Sequence, residues 1–291
     1  MIKSKTSRKK HDFFGSVVLI LIIHALSVDA WSQSLLWKIS GETGEAPSYV
    51  YGTIHLKDPR VFEWKDSVYH RIDLCEAFAG EIDLNAVNLS KAAGLMMLPK
   101  GQTLRDRFTP LEYSMVQQAI KTCSGYDLSL FNNLKPVALI ALCYLNNSSS
   151  GLEATVDELL YRKAVSGGKK ISGLETIEEQ VALMDKIPDS YVIEYFSNLG
   201  EQETQFEKLI RCYQRADLDS IWLLLQDEEA GVMLNEDLIR SRNYRMVERI
   251  IPLLRQQPTF IAIGSGHLPG EEGVIAQLRK EGYIVEPVLI W

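Results

Sequence analysis

Thr259-Phe260-Ile261-Ala262-Ile263-Gly264-Ser265-Gly266-His267 is the stretch that decides the fold. Its apolar run, rich in β-branched and aromatic residues, reads as a short strand. It ends in a histidine with a glycine three positions earlier, where the absence of a Cβ lets the backbone turn or approach closely. The same arrangement stands near the other end of the chain: Tyr49-Val50-Tyr51 leads into Gly52-Thr53-Ile54-His55. Two G-x-x-H motifs thus close two apolar strands. A side chain at the C-terminal end of a strand sits where open α/β sheets bind their ligands.

Outward from these two strands the pattern alternates. Residues 35–39 (LLWKI) read as a strand, joined to 49–55 through the Gly- and Pro-bearing stretch 41–48 as a hairpin. Asp58-Pro59 opens a helix that runs to about Cys75, and 77–84 (AFAGEIDL) is the next strand. Thr109-Pro110-Leu111-Glu112 is a capping box with Pro at the first helical position. Residues 134–145 read as a buried helix and 154–165 as an amphipathic one, ended by Gly167-Gly168. Residues 170–174 form a short strand, and Thr176 with Glu179 makes a second capping box. From about 189 to 256 the pattern is helical with no strand signal; a helix over 271–281 and a strand over 283–290 follow the second G-x-x-H. Strands alternating with helices at both ends of a helical middle predict an α/β fold: a mixed sheet with a large helical insertion. With no repeats, low-complexity runs or linker, residues 31–291 read as a single domain.

The chain of 291 residues has 46% hydrophobic and 24% charged side chains, which excludes disordered, collagenous and coiled-coil classes. Its first thirty residues read as an address. Basic residues at Lys3, Lys5, Arg8, Lys9 and Lys10 precede an apolar run, Val17 to Leu26, and Val28 and Ala30 are small residues before Trp31. This is the pattern of a secretory signal peptide, 1–30, cleaved after Ala30; the alternative is an uncleaved anchor, although the run falls short of the roughly 20 apolar residues of a membrane helix. The expected location is therefore periplasmic or secreted, with no membrane span in the mature chain. Removing five basic and two acidic residues from 31 and 38 leaves 26 against 36, a net charge of −10. Such a surface does not track a phosphate backbone, so nucleic acid is not an expected partner.

Export permits disulfides. Cys75, Cys123, Cys143 and Cys212 allow one bridge, two bridges or none; none of them has C-x-x-C spacing, and Cys143, in an apolar run, reads as core.

Outside the first thirty residues only His55, His70 and His267 remain of five histidines. His70 falls mid-helix without context and reads as structural or exposed. Glu81 interrupts an otherwise apolar strand, and a buried lone carboxylate is costly unless paired or bound to metal; the bland alternative is an edge-strand residue facing water. Two histidines and one carboxylate make a recognised catalytic metal set with open positions. Each member alone has an ordinary explanation, such as a hydrogen-bonded histidine at a strand end. Asp83 and Asp157 read as structural. No H-E-x-x-H, H-x-x-E-H, G-x-S-x-G, Walker A or G-x-G-x-x-G motif occurs, so zincin, serine-hydrolase, NTPase and dinucleotide readings lack support.

Leu36-Trp37-Lys38, Tyr51-Gly52-Thr53-Ile54-His55 and Gly80-Glu81-Ile82-Asp83-Leu84 resemble the opening of the TraB/GumN family. Gly173-Leu174-Glu175-Thr176 with Glu179-Gln180 resembles its central motif, and Arg242-Asn243, Gly264-Ser265-Gly266-His267-Leu268-Pro269-Gly270 and Gly273 resemble its ending. The match is ordered along the whole chain after the address. The superfamily includes the Tiki proteases, described by paired G-x-x-H motifs and a glutamate and regarded as metal-dependent. The resemblance implies a Tiki, erythromycin-esterase and ChaN-like fold. It assigns His55, His267 and Glu81 to the site, with the motif glycines Gly52, Gly264 and Gly266, and a divalent metal, manganese or cobalt, zinc not excluded.

Three further residues each have two readings. Glu175 either joins the site or is a helix-N-terminal carboxylate favoured by the dipole. Arg242 and Asn243, on a helix, either orient a substrate group or a metal-bound carboxylate by charge-assisted bonds, or make a solvent salt bridge. The expected activity is that of an exported metal-dependent hydrolase cleaving a peptide or amide bond in a peptide or small-molecule substrate, with Glu81 as ligand or general base. The alternative is a non-catalytic protein that binds and sequesters a peptide or haem, as the pheromone-inhibitor and haem-binding relatives suggest. The strand-free stretch 191–257 is expected to form a helical layer over one side of the site.

Overall fold

The computed structural model describes residues 34–41, 46–63, 65–146, 152–226 and 239–289. The signal segment 1–30 and its cleavage position lie outside the described residues.

Six strands build one sheet: β1 (Leu36–Ser40), β2 (Ser48–Thr53), β3 (Ala77–Ile82), β4 (Lys170–Glu175), β5 (Thr259–Gly264) and β6 (Ile284–Val288), in the order β4-β3-β5-β2-β1-β6. The sheet is mixed. β2, β5, β3 and β4 run parallel to one another, and β1 joins β2 and β6 antiparallel. The central strands carry β-branched and aromatic side chains on both faces because both faces are covered, as parallel strands require. Phe78 and Phe260 sit opposite each other on β3 and β5 and stack with centroids 6.1 Å apart.

Twelve helices are described: α1 (Lys65–Leu74), α2 (Leu89–Leu95), α3 (Leu104–Arg107), α4 (Pro110–Ser124), α5 (Ala138–Asn146), α6 (Val156–Ser166), α7 (Ile177–Met184), α8 (Asp189–Ser197), α9 (Leu199–Gln214), α10 (Leu218–Gln226), α11 (Ser241–Gln256) and α12 (Val274–Lys280). Both capping boxes read from the sequence are present, Thr109 with Glu112 and Thr176 with Glu179, and Thr155 with Glu158 adds a third at the start of α6. Helix α11 lays Met246, Val247 and Ile250 against the sheet. Met246 and Ile250 are fully buried, each worth about 1.5–3 kcal/mol.

Three helix boundaries differ from the sequence reading. The helix expected from Asp58 opens as a 3-10 turn, Pro59–Val61, which Phe62 ends by leaving helical backbone (φ −141°) and burying its ring in the core; α1 starts at Lys65. The helix expected from Leu134 starts at Ala138. Leu134 pairs with Met97 in a β-bridge, and Lys135 precedes a proline, which disfavours helical backbone there. The last helix starts at Val274 rather than Glu271, after Gly270 takes a left-handed conformation (φ +82°).

A second apolar cluster lies in the helical insertion, where Leu104, Val116, Ile120, Leu128, Leu139, Val192 and Phe196 pack together. Cys123 and Cys143, Cα atoms 5.2 Å apart, form a disulfide that ties α4 to α5. Cys143 is therefore buried as expected but is bonded rather than a plain core thiol. Closing a loop of 20 residues stabilises by about 3 kcal/mol. Cys75 and Cys212 are buried thiols. Among the described residues no helix is long and apolar enough to cross a membrane.

Candidate metal centre

The parallel arrangement explains how residues 212 positions apart in sequence come to one place. In parallel strands the C-terminal ends lie together: Thr53 stands opposite Gly264, Gly80 opposite Ala262, and Ile82 opposite Glu175. The chain that follows β2 reaches His55, the end of β3 carries Glu81, the end of β4 carries Glu175, and the turn after β5 carries His267. β5 is inserted between β3 and β2, so the two G-x-x-H strands are neighbours in the sheet.

Glu81 is an interior-strand residue, not an edge residue facing water; its side chain is 10% exposed. Oε1 accepts from the Gly264 N–H at 2.7 Å, and Oε2 accepts from Arg242 Nη2 at 2.6 Å and Gln180 Nε2 at 3.1 Å. A Cβ at Gly264 would stand 3.1 Å from Oε1, so a glycine is what lets the carboxylate reach this backbone N–H. Burial pushes the Glu81 pKa up, but the charges of His267, Arg242 and His55 and the Gly264 bond outweigh it and hold the group down at about 2. It is ionised at neutral pH.

Glu175 is fully buried and shares Arg242: Arg242 Nε donates to both of its oxygens at 3.0 Å and Nη2 to Oε2 at 2.6 Å. Gln180 Nε2 reaches Glu175 Oε2 at 3.2 Å as well. Arg242, from the first turn of α11, is thus a buried bridge between two glutamates and not a solvent salt bridge.

The next residue, Asn243, is fully buried. Its Nδ2 donates to the Glu272 carbonyl at 2.8 Å, which leaves Oδ1 as the acceptor for His267 Nδ1 at 2.6 Å. The proton of His267 is therefore on Nδ1 and the lone pair on Nε2. Burial lowers the His267 pKa to about 4, so the ring is neutral. His55 is held through the same ring nitrogen, but as a cation at neutral pH. Its Nδ1 lies 2.7 Å from Asp157 Oδ2, and the other Asp157 oxygen accepts from the Thr53 hydroxyl. The Asp157 charge raises the His55 pKa to about 9.

The consequence is electrostatic. His267 Nε2 and Glu81 Oε1, both acceptors, face each other 3.9 Å apart with no proton between them. Two donors at about 2.1 Å from one ion can be separated by up to about 4.2 Å, so one cation can touch both. Glu81 and Glu175 are offset by Arg242, and Arg245 Nη2 lies 3.8 Å from Glu175 Oε1 as a second cation, so Glu175 is neutralised within the cluster while Glu81 Oε1 still faces His267. The donor chemistry fits. Among the described residues, however, no three His, Cys, Asp or Glu side chains are already gathered into a coordination shell; Glu81 and His267 form the pair, and His55 acts on both through its field.

The helical block is part of this centre. Tyr213 of α9 donates its hydroxyl to the Gly52 carbonyl at 2.8 Å, under the first G-x-x-H motif. A Cβ at Gly52 would come within 2.7 Å of Leu268 Cδ1 and 3.0 Å of Ser265 Cα, so the two motifs touch because this residue is a glycine. Leu225 of α10 packs beside Gly266, and Trp222 beside Gly270. His70 is exposed on α1, away from these contacts. Sequence reasoning missed two residues of the site. Asp157, read as structural, is the partner of His55. Gln180, quoted only as part of a motif, bridges both glutamates. Neither has a local signal, since each meets its partner across about a hundred residues of chain.

The buried neutral ring gives a pH prediction. The unfolded chain's histidine takes a proton near 6.5 and the folded His267 does not until about 4, so its contribution is complete above pH 6.5 and is lost as the pH falls. Between about pH 7 and pH 5, chelator-treated protein should lose about 2 kcal/mol more stability than His267→Gln in denaturant titrations. Equal losses would contradict a neutral His267.

These features define a family. A model of the TraB/PrgY/gumN family matches residues 35–287, and the chain belongs to that family. It is similar to metalloprotease TIKI2 of Danio rerio (26% identical, covering 87% of this chain and 61% of the relative) and to metalloprotease TIKI1 of Homo sapiens (26%, 87% and 62%). A metalloprotease TIKI homolog of Amphimedon queenslandica is 27% identical over 89% of this chain and 62% of that protein. The chain spans about three-fifths of the length of these relatives. No solved structure matches it.

Proposed function

We propose that the protein is an exported metal-dependent hydrolase that cleaves a peptide or amide bond. The observation that carries this reading is the 3.9 Å gap between His267 Nε2 and Glu81 Oε1, two lone-pair donors facing each other in a buried pocket. His55, with Nδ1 committed to Asp157, would supply a third donor through Nε2 once an ion displaces the proton that a pKa of about 9 keeps on the ring at neutral pH. The family membership and the relatives named metalloproteases support the reaction class. The first thirty residues and the Cys123–Cys143 disulfide support export to an oxidising compartment.

A bound divalent ion, manganese, cobalt or zinc, would polarise a carbonyl and make water a stronger acid. The chain's own groups do the rest. Glu81 is ionised, and its Oε1, facing His267 Nε2 at 3.9 Å, stands where a ligand of that ion would stand in this reading. Arg242 keeps that carboxylate oriented and offsets its charge, Asn243 fixes the His267 tautomer, and Leu225 and Trp222 from α10 wall the His267 turn and restrict water and substrate access.

Chelator-treated protein, reloaded with each ion in turn and incubated with a defined peptide mixture, should yield new peptide termini by mass spectrometry. His267→Ala should yield none. Absence of fragments at every loading of the wild type would remove the hydrolase reading and leave a peptide-binding protein.

A further inference from the structure

The partner of His55 is built with more care than a surface ion pair requires. Asp157 stands in the first turn of α6, inside the capping box between Thr155 and Glu158, where the helix dipole favours a negative charge. One of its oxygens meets His55 Nδ1 at 2.7 Å and the other takes the hydroxyl proton of Thr53, two residues before His55 on the same strand end. Thr53 itself is buried. The carboxylate is therefore fixed from three directions: by its helix, by the strand and by the ring. A carboxylate that accepts from Nδ1–H fixes which ring nitrogen keeps a lone pair and where that lone pair points, and in metal sites such outer partners change affinity by about 10–100-fold.

We propose that Asp157, clamped by Thr53, is the positioning residue for His55: it dictates that Nε2, and not Nδ1, faces the centre shared with Glu81 and His267. This rests on the metal reading of that centre. The two histidines are then oriented by different means, His55 by a charged carboxylate at the cleft surface and His267 by a neutral amide in the interior. The difference follows from burial. A second carboxylate beside the buried His267 would be a further desolvated charge next to Glu81, whereas Asp157, 23% exposed beside a His55 ring that is 66% exposed, keeps contact with water.

The test uses the full chain in three variants, Asp157→Ala, Asp157→Asn and Thr53→Val, each checked for folding by circular dichroism. Zn2+ and Mn2+ affinities are measured by calorimetry, and the His55 Nδ1 proton is followed by NMR of ring-15N-labelled protein. Asp157→Ala should weaken both ions 10–100-fold and lose the protected Nδ1 proton resonance. Asp157→Asn, which keeps an acceptor, should restore part of the affinity and retain the resonance, and Thr53→Val should fall between Asn and wild type. If Asp157→Ala is folded and binds both ions as tightly as wild type, the positioning role is overturned while the metal reading stands. If wild type binds neither ion but its Nδ1 proton is protected and lost in Asp157→Ala, the metal reading falls and the orientation of His55 by Asp157 stands. Should Asp157→Ala fail to fold, the Asn and Val variants decide by the same readings.

Discussion

Arg242→Met should cost about 3–5 kcal/mol of folding free energy, the loss expected when one partner of a buried charge network is removed. The guanidinium is 12% exposed and donates to Glu81 and to Glu175, which is fully buried. Without it, Glu81 keeps only Gln180 and the Gly264 N–H, and Glu175 keeps Gln180 and the more distant, partly exposed Arg245 at 3.8 Å. Denaturant titration of the variant measures the loss. A double-mutant cycle identifies its source: Glu175→Gln should cost clearly less in the Arg242→Met background than in wild type, because it removes a charge already left uncompensated. An Arg242→Met protein within about 1 kcal/mol of wild type, below the range for breaking a buried pair, would show that the pair is solvated and the pocket open.

The second large effect concerns the ion. Glu81→Gln and His267→Ala should each lower divalent-metal affinity by more than the roughly 10–100-fold that follows loss of an outer-shell partner, since each removes a direct donor. Glu81→Gln is the sharper of the two because it keeps the side-chain volume and removes the charge. Metal per folded chain, determined after gel filtration, is the readout. A Glu81→Gln protein that keeps its metal and loses only turnover would make Glu81 a general base, against the low pKa that Arg242, His267 and the Gly264 N–H impose.

The sheet was legible because its strands carry local signals. Apolar, β-branched runs bounded by glycine and proline identify all six strands to within about two residues, and capping boxes locate α4 and α7. Helix boundaries set by tertiary contacts were not legible: Leu134 leaves its expected helix to pair with Met97, and Phe62 ends a turn by inserting into the core. The same division runs through the site. His55 and His267 stand out because histidine is scarce and both end strands with the same glycine spacing. Glu81 stands out because a charge interrupts an apolar strand. Asp157 and Gln180 lie on polar faces of amphipathic helices, where acidic and amide residues are ordinary; only the three-dimensional approach of α6 to the end of β2, and of α7 to the end of β3, distinguishes them. The disulfide follows the same rule, since the packing of α4 against α5 selects Cys123 and Cys143 from four candidates.

The most direct test of the central claim is the metal content of the full-length protein purified without chelator, measured by plasma mass spectrometry alongside the His55→Ala, His267→Ala double variant. Wild type should carry about one divalent ion per chain, removed by chelator and restored by manganese, cobalt or zinc, with a rise in melting temperature on reloading that the double variant lacks. Wild-type protein that carries no ion, takes up none of the three and melts at the same temperature in their presence would contradict it.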